Sequence, residues 1–311
     1  MMKTLITVAL LLSICFCLQG LDTKILTQLA HIKSSQAFNI KFDHDLVYTR
    51  NANNIWVYSI FNPWSPKLEA GFYSPFPIED METHAGNHLF VASREPTNQI
   101  LSVDSLYTGS RIFFTQTILG DKLTREGATM YVADRFKGID IVNIGGGTIR
   151  EIVSTFSEKW GIKDFEAQYP YIYALNDFGL VAVDITDLQN PRSIATNYQL
   201  VDATCMAKNA NTLWVGAGKN LFAFNVTNPA TPIVVTNIRM TNEIQKLRVK
   251  DNKLFVALGR GGVKIFDIAN PLKAEDINNI FFSVPVYDIS LANDYIFVGL
   301  GKEGWMIYQY R

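Results

Sequence analysis

Six loops of this 311-residue chain carry a basic residue at an equivalent place: Arg50, Arg94, Arg135 with Lys137, Lys219, Arg260 and Lys302. A second series opens successive apolar segments: Asn39, Asp80, Lys122, Asp164, Asp202, Lys246 and Asp288, where Asp202 requires a local insertion. Guanidinium and ammonium groups gathered on one rim can hold a carboxylate or a phosphate, Arg through its planar fork and Lys as a point charge. The competing reading is internal neutralisation, in which the acids pair with the cations between neighbouring units. Exposed pairs of that kind contribute at most ~1 kcal/mol each. A charged loop is by default a solvated one, which weighs toward the second reading. Both readings place Arg50, Arg94, Arg135, Arg260 and Lys302 on one face with Asp80, Asp164 and Asp288. The first makes that face a ligand-binding rim.

No other constellation carries chemistry. His31, His44, His84 and His88 have no metal-ligand spacing with cysteine or with one another. A Gly-x-Ser-x-Gly elbow and a Walker-type phosphate loop are absent, and Gly145-Gly146-Gly147 reads as a turn. A Ser–His–Asp triad meets in space rather than along the chain, so spacing does not test for one. Cys15 and Cys17 fall in an N-terminal apolar run, which leaves Cys205 in the stretch Ala203-Thr204-Cys205-Met206, read as a small buried residue. The expectation is no metal, no cofactor and no catalytic residue. Asn225-Val226-Thr227 is a glycosylation sequon whose Asn also occupies a repeated turn position.

The elements that position these residues recur. Apolar segments begin at Leu46, Leu89, Met130, Tyr171, Leu213, Leu254 and Ile296, spaced by 41 to 43 residues. Each is followed by a turn, a second apolar segment and often Asn-Pro, as in Leu254 to Leu258, Gly259-Arg260-Gly261-Gly262, Val263 to Ile268 and Ala269-Asn270-Pro271. A fixed period of this length signals a propeller or another repeat array. Each repeat resolves into four short strands of one antiparallel meander. The second strand is apolar almost throughout (Leu213-Trp214-Val215, Ile296-Phe297-Val298), so both of its faces must be covered by neighbouring sheets. The seventh repeat stops at Trp305 to Tyr310 without an outer strand, while Lys24 to Ala30 is a spare strand at the other end. Pairing the two closes the ring and removes its open edges.

Composition excludes some classes. The formal net charge is −1, with 18% charged and 48% apolar residues, so no basic excess points to nucleic acid. Leu5 to Leu18 is an apolar run too short to span a bilayer as a helix and of signal-peptide length. Residues 1–20 are therefore expected to be a signal peptide and 21–311 the propeller, with an uncleaved anchor as the alternative.

The third segments resemble those of the LVIVD-repeat family of β-propellers. Leu180-Val181-Ala182-Val183-Asp184-Ile185 is similar to the family's signature string, and Val263 to Pro271 and Leu221 to Pro229 to its strand-and-turn pattern. The first, second, third and seventh repeats depart from it, with Ser59, Asp104, Asn143 and Gln309 at the Asp position. The resemblance implies architecture and carries over no reaction. The expected protein is an all-β, seven-bladed propeller of four-stranded blades, secreted or at a cell surface, acting as a non-catalytic binding scaffold. Its expected partner is a protein or a small anionic ligand, with peripheral membrane association left open. The alternatives are a hydrolase or lactonase at the channel mouth, and a structural subunit packing through an apolar patch such as Phe61, Trp64, Phe72, Tyr73 and Phe76.

Overall fold

The computed structural model describes residues 26–84, 88–93, 99–104, 111–117, 120–147, 149–158, 161–197, 200 and 202–310. Residues 1–25, with the apolar run Leu5 to Leu18 and Lys24 of the expected closing strand, and Arg94 lie outside them. The strands form seven four-stranded antiparallel sheets, the blades of an all-β propeller. Numbered along the chain, blades 1 to 6 take four consecutive strands each. The innermost strands are Asn39–Asp43, Ile78–His84, Lys122–Glu126, Asp164–Gln168, Ala203–Asn209 and Lys246–Lys250. Blade 7 starts with Asp288–Ala292 and is completed by the N-terminal strand. Each innermost strand touches the next, and the last touches the first, so the ring is closed around a central channel.

Within a blade the four strands, here a to d from the channel outward, follow from the sequence. In blade 6 the a–b turn contains Asp251 and Asn252 at φ of 49° and 56°, a left-handed conformation that Asn and Asp tolerate. After strand c, a side-chain oxygen caps the turn. Asp184 accepts from the Thr186 N–H at 2.8 Å, Asn225 from Thr227 at 2.9 Å and Asp267 from Ala269 at 2.9 Å. These are Asx turns, which accounts for Asp or Asn recurring there. Gly262 and Gly304 precede strands c at φ of 79° and 84°. A Cβ there would lie 2.1 Å from the Ile280 carbonyl oxygen and 1.9 Å from that of Ile32, so only Gly fits.

The core lies between blades. Trp214 of blade 5 is fully buried in a cluster with Leu247, Leu254 and Val256 of blade 6. No blade covers its own faces, which is why strand b is apolar on both. Closure is by Leu26–Ile32, which pairs antiparallel with Trp305–Tyr310 from Leu26 opposite Tyr310 to Ile32 opposite Trp305. The pairing strand reaches Ile32, two residues past the expected end at Ala30; Lys24 and Ile25 lie outside the described residues. Its register skips one residue between Gln28 and Ala30, and the c–d pair of each other blade carries the same irregularity, such as Ile265/Phe266 against Asn278 and Asp276. The N-terminal strand thus reproduces a strand d, bulge included.

Candidate functional site at the channel mouth

Strand a has no backbone partner on its channel side, so its N–H groups need acceptors from elsewhere. Asp80, Asp164 and Asp288 supply them across blade boundaries. Asp80 accepts from the Leu123 N–H at 3.0 Å, Asp164 from Met206 at 3.0 Å and Asp288 from Ile40 at 3.1 Å. All three are buried. The sequence reading groups them with the basic loops around the channel mouth; what it leaves out is that their carboxylates are taken up by backbone N–H groups. Asp164 and Asp288 open their strands a and Asp80 is the third residue of its own; each carboxylate accepts the free N–H of the next blade.

A second channel-facing layer was not anticipated from the sequence. Lys41 bridges Glu82 at 2.9 Å and Arg248 reaches Asp288 at 3.5 Å, while in the first layer Lys246 lies 3.8 Å from Asp164. Ser290 Oγ accepts from the Phe42 N–H at 3.1 Å. Alternation was the available signal. Residues two positions beyond Asn39, Asp80, Asp164, Lys246 and Asp288 must face the same way. Burial works against ionisation of Asp80, yet Lys122, Lys41 and the Leu123 N–H hold its carboxyl below the usual range. Glu166 goes the other way: burial and the Asp164 carboxylate push it up to about 7. The channel space beside these acids is narrow, about 50 Å³. Among the described residues, no group of three or more His, Cys, Asp and Glu is placed to hold a metal ion.

Blade 5 breaks the pattern. Asp202 is a turn residue at φ 64°, and a register shift between Ala203 and Cys205 puts Cys205 opposite Gly216. Cys205 is buried among Ile244 and Leu247, and burial pushes its thiol up to about 12. It is an apolar packing group, as its sequence context indicates.

Above the channel, the b–c loops surround a cavity of about 670 Å³ lined by Arg50, Lys122, Arg135, Phe136, Lys163 and Asp177, among others. Register fixes this face, because the end of each strand b lies beside the start of strand a, as in Arg50 opposite Asn39 and Ala257 opposite Lys246. Two of the expected rim cations are held by the fold. Arg50 donates to the backbone carbonyls of Ile78 and Glu79. Arg135 Nε donates to Asp121 Oδ2 at 3.0 Å. Arg260 and Lys302 are exposed on their loops, and neither has a hydrogen bond or ion pair among the described residues. Lys163 pairs with Asp177 at 3.2 Å. The aromatic ring of Phe136 is 85% exposed at the cavity edge.

Elsewhere, Phe61, Trp64 and Tyr73 are exposed on blade 1, whereas Phe72 is buried and Phe76 partly so. The apolar patch is smaller than its sequence suggests, because strand d turns alternate side chains inward. Asn225 is exposed, with its oxygen engaged in the Asx turn.

Among solved structures, the chain is similar to one in the crystal structure of a mitotic checkpoint complex, with a TM-score of 0.70 at 12% identity over 92% of this chain and 93% of that one. It is also similar to the computationally designed Ika8 protein, with a TM-score of 0.65 at 13% identity over 91% of this chain and 99% of that one. At these identities the likeness shows the fold alone. No family model and no curated protein matches the chain.

Proposed function

We propose that this chain is a non-catalytic binding propeller, akin to the LVIVD-repeat propellers, that offers its b–c loop face to a partner protein or an anionic ligand. The observation that carries this reading is the collection of exposed loops and unpaired cations on one face around a wide mouth. A rigid ring with projecting loops suits recognition. The apolar run from Leu5 to Leu18 supports a secreted or cell-surface location. Among the described rim cations, Lys219, Arg260 and Lys302 are exposed without a side-chain partner and are free to meet one. Arg50 and Arg135 serve chiefly to fix their loops. The test is comparative capture from the native compartment. Arg260→Glu with Lys302→Glu should lose a species that the parent protein retains, while Lys253→Glu on the opposite face should keep it. Surface changes of this kind shift stability by no more than ~0.5 kcal/mol. Equal capture by both variants would remove the reading.

A further inference from the structure

The mouth contains a cation whose ammonium no described residue neutralises by contact. Lys122 opens strand a of blade 3 and lines both the wide mouth and the narrow channel beneath it. The other channel cations have partners: Lys41 has Glu82, Lys246 has Asp164 and Arg248 has Asp288. The Lys122 ammonium makes no hydrogen bond or ion pair among the described residues. Burial opposes its charge, but the fields of Asp164, Asp80 and Asp288 keep it protonated. Those three carboxylates are already engaged with backbone N–H groups of neighbouring blades.

Among the described residues lining the mouth the charges nearly cancel. Arg50, Lys122, Arg135 and Lys163 face Glu79, Asp121 and Asp177, one more cation than carboxylate. Arg135 and Lys163 are paired with Asp121 and Asp177. The surplus is therefore one positive charge, and Lys122 is its accessible carrier. Beside it stand the exposed ring of Phe136 and the side chain of Ile162. A cavity of about 670 Å³ is of the size that encloses a small organic molecule, and such sites combine an apolar wall with a few convergent polar groups.

We propose that the channel mouth is a binding site for a small organic monocarboxylate, its carboxylate on the Lys122 ammonium and its apolar body against Phe136. One surplus charge matches a monoanion. A phosphate monoester at −2 would overcompensate it and meet the acids below. The site rests on the reading of the b–c face as the working face, but its test is separate, because Arg260 and Lys302 do not line the cavity.

The experiment is calorimetric titration of the purified full-length protein with benzoate, hexanoate, phenyl phosphate and neutral benzamide, with spectral mapping of residues 134–138 and 161–163. Benzoate or hexanoate should bind and perturb those residues, with benzamide and phenyl phosphate weaker. Lys122→Met should weaken benzoate by about tenfold or more, the value of a charged hydrogen bond. Lys302→Glu should leave it unchanged. If Lys122→Met does not fold, Phe136→Ala reads the same site, since its ring is exposed, and should weaken benzoate about fivefold. No carboxylate binding, binding unaffected by the Lys122 and Phe136 variants, or a preference for phenyl phosphate would overturn the assignment.

Discussion

At the scale of single residues, the channel acids divide into stitches and a strained group. Asp288 joins blade 7 to blade 1 by accepting the Ile40 N–H, and it also faces Arg248. Asp288→Ala leaves a buried donor and a cation unpartnered and should cost about 3–5 kcal/mol in urea denaturation. Asp288→Asn keeps an acceptor and should cost clearly less. An Ala variant as stable as the parent would show that the stitch is dispensable. Glu166 is the strained group. Its pKa of about 7 lies above the ordinary 4.5, so the fold favours its protonated form. The stability it contributes is full below 4.5 and is lost as pH rises through about 7. This amounts to up to about 3 kcal/mol. Glu166→Gln should flatten the stability profile between pH 5 and 8 and exceed the parent at pH 8. A parent protein that gains stability over that interval would contradict this. The position of Asp80, Asp164 and Asp288 at the head of strand a was legible in the sequence, but their role was not. Spacing shows that residues are equivalent, whereas the N–H donor each carboxylate accepts from lies on a backbone about 42 residues further on, or, at the seam, 248 back.

At the scale of strands, the repeat period and apolar pattern specify the blades, because each element is a local meander with turn residues in place. Closure was also legible, from one strand missing and one spare. The extension of the closing strand to Ile32 was not, since register there follows from a bulge that has no residue signature: the skipped residues are Leu29, Glu69 and Ile277 in blades 7, 1 and 6. Removing residues 26–32 should expose the edge of Trp305–Tyr310 and uncover Trp305 and Ile307, both buried. The expected result is a fall in melting temperature of about 10 °C or more, or aggregation. An unchanged melting temperature would mean that the seam does not hold the ring.

At the scale of the molecule, the two faces differ. The b–c face carries the wide mouth, Arg260 and Lys302. The opposite face has a smaller cavity of about 230 Å³ between blades 6 and 7, beside Lys250 and Tyr310. The sequence placed the basic loops together through their equivalence in a ring, but it could not separate Arg50 and Arg135, engaged by the fold, from Arg260 and Lys302, which are free. That distinction depends on carbonyls and acids in other loops. The central claim is that recognition occurs on the b–c face. Its most direct test is lysine cross-linking of the protein with its co-purified partner, followed by mass spectrometry. Lys163, Lys219 and Lys302 report on the b–c face, and Lys250 and Lys253 on the other. Cross-links to the partner should come from the first group. Links confined to Lys250 and Lys253 would contradict the account.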